Sequence, residues 1–142
     1  MSEKKQLHVI IATPLRTVYD NEVDQITVTT AEGEITILPD HIPLIVPLKV
    51  GQAMVKTDDK EVYHSIDGGI LEMRHDNQVI ILSDRSENAT EIDLERAEGA
   101  LKRAEKCMEE CENNEETDYT KLERDIAKEL NRVKLAQKGS RK

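Results

Sequence analysis

The hydrophobic rhythm of the chain changes once, at Ser83, and that change limits the folds open to it more than any other feature. Up to Ser83, apolar residues recur at even spacings in short runs: Leu7, Val9 and Ile11; Ile26 and Val28; Ile35 and Ile37; Ala53 and Val55; Val62 and Ile66; Val79 and Ile81. A two-residue period sends one row of side chains to a buried sheet face and leaves the other row wet. Turn chemistry interrupts these runs at Thr13-Pro14, Glu32-Gly33, Leu38-Pro39-Asp40, Val50-Gly51, Thr57 to Lys60, Gly68-Gly69 and Asp76-Asn77. Short strands at that density predict an all-β sandwich or barrel.

Beyond Ser83 the interval becomes three and four. Leu94, Ala97, Leu101, Ala104, Met108 and Cys111 trace a narrow heptad seam along one helix. The polar segment Glu112 to Asp118 breaks the seam. Helical spacing then resumes with Tyr119, Leu122, Ile126, Leu130 and Val133, with Thr117 or Asp118 placed to cap the first turn. Two helices joined by a short polar loop fold back as an antiparallel hairpin. The expected architecture is an all-β sandwich N-terminal domain, residues 1–87, followed by a C-terminal antiparallel two-helix hairpin, residues 88–142.

Composition removes several functions. A net charge of -9 disfavours a nucleic-acid backbone, and aromatics at 2%, with no Trp and no Phe, leave almost nothing to stack on bases. The longest uncharged apolar stretch, Ile42 to Leu48, carries two prolines and is far shorter than the roughly 20 residues of a membrane span. Met1 to Gln6 lead straight into a strand-like run without the pattern of a secretory signal. Cys107 and Cys111 lie four apart on a helical pattern and read as reduced thiols of a cytoplasmic protein. His8, His41, His64 and His75 show no ligand spacing, so no metal is expected. Neither a catalytic triad pattern nor a phosphate-binding glycine loop is present, and Asp58-Asp59-Lys60 reads as a solvated turn. An enzyme of its own is not expected.

Lys121, Arg124, Lys128 and Arg132 fall at intervals of three, four and four, a basic stripe expected opposite the apolar seam. Such a stripe is either a solvated face or a docking surface for an acidic partner.

The runs EGEITILPDHIPLI and DGGILEM, followed by IDLERA at the start of a two-helix tail, resemble the epsilon subunits of bacterial F-type ATP synthases. The likeness runs from Leu7 to about Gln137 with the parts in the same order. Where that family commonly has Gly, this chain has Thr36 and Asp40; where it often has Ser, this chain has Asp67.

The resemblance implies a non-catalytic central-stalk subunit that couples the catalytic head to the membrane ring of a proton-translocating synthase. Its partners are the gamma subunit, the alpha and beta subunits of the head and the c-subunit ring, and its place is peripheral, on the cytoplasmic face of the bacterial cell membrane. The helical tail is expected to inhibit ATP hydrolysis when extended into the head, where Lys121, Arg124, Lys128 and Arg132 would meet acidic segments. Glu32, Glu34 and His41 are expected at the ring contact. No cofactor is required. The alternative is a generic adaptor, a sandwich presenting a helical hairpin to some other protein.

The IDLERA segment has two readings. Asp93 is placed to cap the helix, which accounts for it without a ligand. Arg96 is less simply explained, because a cation in the first turn opposes the helix dipole. By the resemblance, Glu87, Ile92, Asp93, Arg96, Ala97, Arg103 and Arg132 match a regulatory ATP site found in some bacterial members. Lys128 stands where those members carry a second arginine. The arginine forks would take phosphate oxygens, the carboxylates the adenine amino group or ribose hydroxyls, and Ile92 and Ala97 the base.

Overall fold

The structure, a computed structural model, describes residues 5–111 and 119–140. The chain divides into two compact units, Met1–Asn88 and Ala89–Lys142.

The first unit is built of eight strands: β1 (Leu7–Ala12), β2 (Thr17–Val23), β3 (Gln25–Thr30), β4 (Gly33–Ile37), β5 (Leu44–Thr57), β6 (Lys60–Met73), β7 (Gln78–Leu82) and β8 (Ser86–Asn88). Alternation sets the burial: along β1, Leu7, Val9 and Ile11 are buried while His8, Ile10 and Ala12 are only partly covered. Strands β5 and β6 form one 14-residue antiparallel hairpin in continuous register, from Leu44↔Met73 to Thr57↔Lys60. The outer halves of that hairpin take different neighbours. The late half of β6 pairs β7, with Ile70↔Leu82, and β7 runs parallel to β1, which pairs β2. The late half of β5 pairs β3, with Ile26↔Val55, β3 pairs β4, and the early half of β6 pairs β8. The two long strands thus pass from one layer of the sandwich to the other.

Glycines make that passage possible. Gly68 and Gly69 hold φ of +90° and +136°, where an L side chain is strained. A Cβ on Gly69 would lie 2.0 Å from the Leu82 carbonyl oxygen, so β7 approaches β6 where only a hydrogen fits. Between the layers lies an aliphatic core that includes Leu7, Ile11, Ile26, Ile37, Ile66, Leu71 and Ile81. One polar ring enters the buried set: His64, 1% exposed, meets Tyr19 edge-on with ring centroids 5.0 Å apart.

The second unit starts with a 3₁₀ turn, Ala89–Glu91, and continues as helices α1 (Leu94–Cys111) and α2 (Tyr119–Ser140). Residues Thr117 and Asp118, the expected caps of α2, lie outside the described residues. Helix α2 contacts both α1 and the 3₁₀ turn. Its burial departs from the expected seam: Leu122 and Ile126 are partly covered, Leu130 is 40% exposed, and the buried positions among the described residues are Val133, Leu135 and Ala136. The basic stripe is split for the same reason. Lys121 and Arg124 are exposed, but Lys128 is partly covered and the Arg132 side chain retains only 13% exposure. In its last turns α2 therefore covers the flank that carries Lys128 and Arg132, which is not a solvated face opposite the seam. A strict three-four reading assumes one neighbour, and α2 has two.

Candidate functional site

The IDLERA segment is a capped helix start. The Asp93 carboxylate accepts the Arg96 backbone N–H (3.2 Å), and the Asp93 carbonyl accepts the Ala97 N–H (2.9 Å), so Asp93 satisfies an amide that the helix itself leaves open. The Ile92 N–H reaches back to the Ala89 carbonyl (3.4 Å), joining the 3₁₀ turn to the cap. Ile92 is 7% exposed and Ala97 is fully buried. Both are occupied in packing and present little surface to a nucleotide base.

The cations of the same unit fall into two environments. Arg96 and Arg103 are exposed on α1, and Arg103 lies over Gly99, where a Cβ would sit 3.4 Å from its Nη1. On α2, Arg132 Nη1 is 3.0 Å from Glu129 Oε2, and both side chains are largely covered, at 13% and 18% exposure. Glu87, grouped with these residues by the resemblance, belongs to the first unit on β8. There its carboxylate pairs with Arg85 (3.1 Å) and its backbone N–H donates to Ser65 Oγ (3.0 Å). Among the described residues, no group of three His, Cys, Asp or Glu is placed to hold a metal.

The three residues expected at the ring contact are not gathered on one spot. Glu32 and Glu34 are exposed at the β3–β4 turn, which Thr30 fixes by donating its hydroxyl to the Gly33 carbonyl (2.6 Å) and accepting the Glu32 N–H (3.2 Å). His41 follows the far end of β4, about 16 Å of extended backbone away. It closes a turn with Leu38 (N–H to O, 3.2 Å), and its Nδ1 donates to the Ile42 carbonyl (2.8 Å).

Two features escaped the sequence reading. The row of the β5–β6–β7 layer that alternation assigns to water is apolar: Ile45 is 73% exposed, Ile70 50% and Leu82 57%, with Ile42 at 74% beside them. Next to Ile45 an open groove of about 820 Å³ is lined by Pro43, Leu44, Ile45 and the Glu72 to Asp76 turn. The signal was present as Ile42-Pro43-Leu44-Ile45-Val46, where both rows are apolar. The second feature is a clasp between loops. Asp40 holds φ +66°, its N–H donates to Asn77 Oδ1 (2.6 Å), its Oδ1 accepts from Asn77 Nδ2 (3.1 Å), and its other oxygen meets the Lys5 ammonium. Lys5, and then Asn77, hold the Asp40 carboxyl below the usual carboxylate range.

Residues 6–101 match a protein-family model described as the ATP synthase delta/epsilon chain beta-sandwich domain, and residues 90–137 match its long alpha-helix domain. The ATP synthase epsilon chain of Halalkalibacterium halodurans is 40% identical over 92% of this chain and 96% of its own length. That of Geobacter sulfurreducens is 38% identical over the whole of both chains. A chain in the structure of the Euglena gracilis mitochondrial ATP synthase (OSCP/F1/c-ring) shares the fold, with a TM-score of 0.71 at 22% identity over 93% of this chain and 81% of that one. A sandwich bridged by two long strands, a capped helical pair after it, and full-length identity to such relatives lead to one assignment: the chain belongs to the epsilon-chain family of the ATP synthases.

Proposed function

We propose that this chain is a coupling and braking element of a rotary ATP synthase, itself non-catalytic, seated on the cytoplasmic face of the bacterial cell membrane. The sandwich joins the gamma subunit to the c-subunit ring, and the helical pair restrains ATP hydrolysis in the alpha and beta subunits of the head. The observation that carries the reading is the match of both family domains, in order, along almost the whole chain. The exposed apolar row of Ile45, Ile70 and Leu82 supports it, because an apolar face of that kind marks burial against another subunit. No described helix is long and apolar enough to cross a membrane. Attachment therefore rests on the partner subunits. No observation favours the alternative of a generic adaptor.

The brake has a simple electrostatic form. Lys121 and Arg124 are exposed in the present arrangement, whereas Arg132 is held by Glu129 and Lys128 is partly covered. Extension of the tail releases the latter pair for acidic segments of the head, an attraction that salt weakens. ATP is the proposed regulatory ligand of the folded tail, held by Arg96 and Arg103, with Lys128 and Arg132 joining once Glu129 gives way. A ligand shifts such an equilibrium only by its differential affinity for the two arrangements, about 1.4 kcal/mol for each factor of ten.

Removal of residues 88–142 from the assembled synthase tests the brake: ATP hydrolysis rises while assembly and ATP synthesis persist. Unchanged hydrolysis refutes it. Titration of the full chain with ATP, followed through backbone amide shifts of Ile92 to Arg103, tests the ligand. No response at millimolar ATP removes it from the scheme.

A further inference from the structure

The segment Leu38 to Ile45 puts three apolar side chains into solvent: Leu38 at 51% exposure, Ile42 at 74% and Ile45 at 73%. Its backbone is nonetheless fixed at a demanding conformation. The His41 N–H closes on the Leu38 carbonyl, Pro39 takes the first central position, and Asp40 takes the second at φ +66°, the arrangement of a type II turn. Glycine or asparagine suits that second position best, and aspartate is among the few other side chains that tolerate it. Its side chain, however, has a use there. Asn77, itself at φ +59° in the turn between β6 and β7, both accepts the Asp40 N–H and donates to the Asp40 carboxylate. The Asn77 carbonyl in turn accepts the His8 N–H (2.8 Å), and the Arg74 N–H closes the same turn on the Gln78 carbonyl (2.8 Å). The loop is thus tied through one amide side chain to β1 and to the β6–β7 turn. Lys5 adds an ion pair to the same carboxylate, exposed and hence screened by salt.

We propose that Asn77 is a positioning residue for partner binding: its paired hydrogen bonds to Asp40 hold Leu38 to Ile45 as a preformed apolar contact for the rotor. This rests on the reading above that the sandwich meets the c-subunit ring, with His41 expected at that contact. A contact loop ordered in advance loses less conformational freedom on binding, so the clasp strengthens association without touching the partner. The groove beside Ile45, lined in part by Glu72 to Asp76, belongs to the turn that Asn77 fixes, so loop and groove keep their relative placement.

Asn77→Gly keeps the left-handed backbone and removes both side-chain bonds. Asp40→Gly removes the carboxylate end from the other side, and Asp40→Asn keeps the acceptor for Asn77 and serves as the conservative control. The full chain is compared in three measurements: circular dichroism for the fold, amide exchange along Leu38 to Ile45, and titration onto the cognate synthase assembly lacking this subunit. The expected result for Asn77→Gly is an unchanged spectrum, exchange at Asp40 and His41 faster by tenfold or more, and association weaker by three- to tenfold. Asp40→Asn stays within twofold of the parent in both. Unchanged exchange in Asn77→Gly and Asp40→Gly overturns the clasp. Faster exchange with unchanged association overturns instead the placing of this loop at the rotor, and the positioning role with it. Should Asn77→Gly lose the folded spectrum, Asp40→Gly, which relieves the backbone, decides between the same outcomes.

Discussion

His64 makes the sandwich acid-sensitive in a way that one substitution isolates. Its ring is 1% exposed, its Nδ1 has no hydrogen-bond partner among the described residues, and burial pushes its pKa down to about 4. In the unfolded chain the same group titrates near 6.5. A folded-state pKa below the unfolded one means that the unfolded chain takes up the proton first, so this contribution to stability is complete above pH 6.5 and is lost as pH falls toward 4. Integrating between those two values, the loss from pH 7.5 to pH 5.0 is about 2 kcal/mol, a large share of the 5–15 kcal/mol typical of a domain. His64→Leu puts an aliphatic side chain in the buried position beside Tyr19 and removes the titration. The assay is urea unfolding of the full chain at both pH values, read from amide resonances of β1, β5 and β6 so that the helical unit does not enter the signal. Every group common to both proteins cancels in the comparison. The wild type is expected to lose about 2 kcal/mol more than His64→Leu on acidification. Equal losses, within about 0.5 kcal/mol, would refute the claim that His64 is buried and neutral.

Three further substitutions probe the packing. Gly69→Ala drives a methyl group into the Leu82 carbonyl at a φ of +136°, and the expected cost is about 3 kcal/mol or more, visible as a large fall in the urea midpoint of the sandwich. Gly99→Ala meets only the end of the flexible Arg103 side chain and should strengthen α1 by about 1 kcal/mol, read as slower amide exchange in that helix; faster exchange would contradict it. Asp93→Ala removes the acceptor of the Arg96 N–H and should loosen the start of α1 by about 1 kcal/mol, with fast exchange confined to Glu95 through Ala97.

Inward rows of aliphatic residues were legible because the sheet period is two and the core here is made of Ile, Val, Leu and Met. Val62 and Ile66 even bracket His64 at the same parity, so its burial was readable from the strand pattern. Pairing was not: that β1 runs parallel to β7, and that β5 and β6 cross between layers at Gly68-Gly69, depends on contacts far apart in sequence. The outward row of Ile45, Ile70 and Leu82 was hidden by the assumption that a strand's second row is polar, which these exposed apolar side chains contradict. In α2 the error had a single source. Heptad spacing extends one line of contact, whereas α2 also contacts the Ala89–Glu91 turn and covers Leu135 and the Arg132 side chain, which lie off that line. The clasp of Asp40 and Asn77 joins residues 37 apart, and only the departure from glycine at Asp40 hinted at it.

The helical unit is held together differently from the sandwich, and the difference bears on the proposed brake. Among the described residues its buried apolar side chains are Ala89, Ile92, Ala97, Val133, Leu135 and Ala136, all on the 3₁₀ turn, the cap and first turn of α1, or the final turns of α2. Along the rest of the pair, Leu94, Leu101, Ala104, Met108, Leu122 and Ile126 are only partly covered. Alanines bury little area, and each apolar Å² is worth about 25 cal/mol. Most of the stability of a protein helix comes from packing of its apolar face rather than from propensity, so the pair depends on its closed end. Gly99 weakens it further. An element that opens at a cost of a few kcal/mol is where a two-state lever belongs, because a ligand or a partner surface then has enough differential affinity to move it. Asp93→Ala and Gly99→Ala push that balance in opposite directions. In the assembled synthase they should therefore shift ATP hydrolysis in opposite senses, Asp93→Ala lowering it and Gly99→Ala raising it if the folded pair is the permissive state. Equal shifts of the same sign would separate tail stability from the brake.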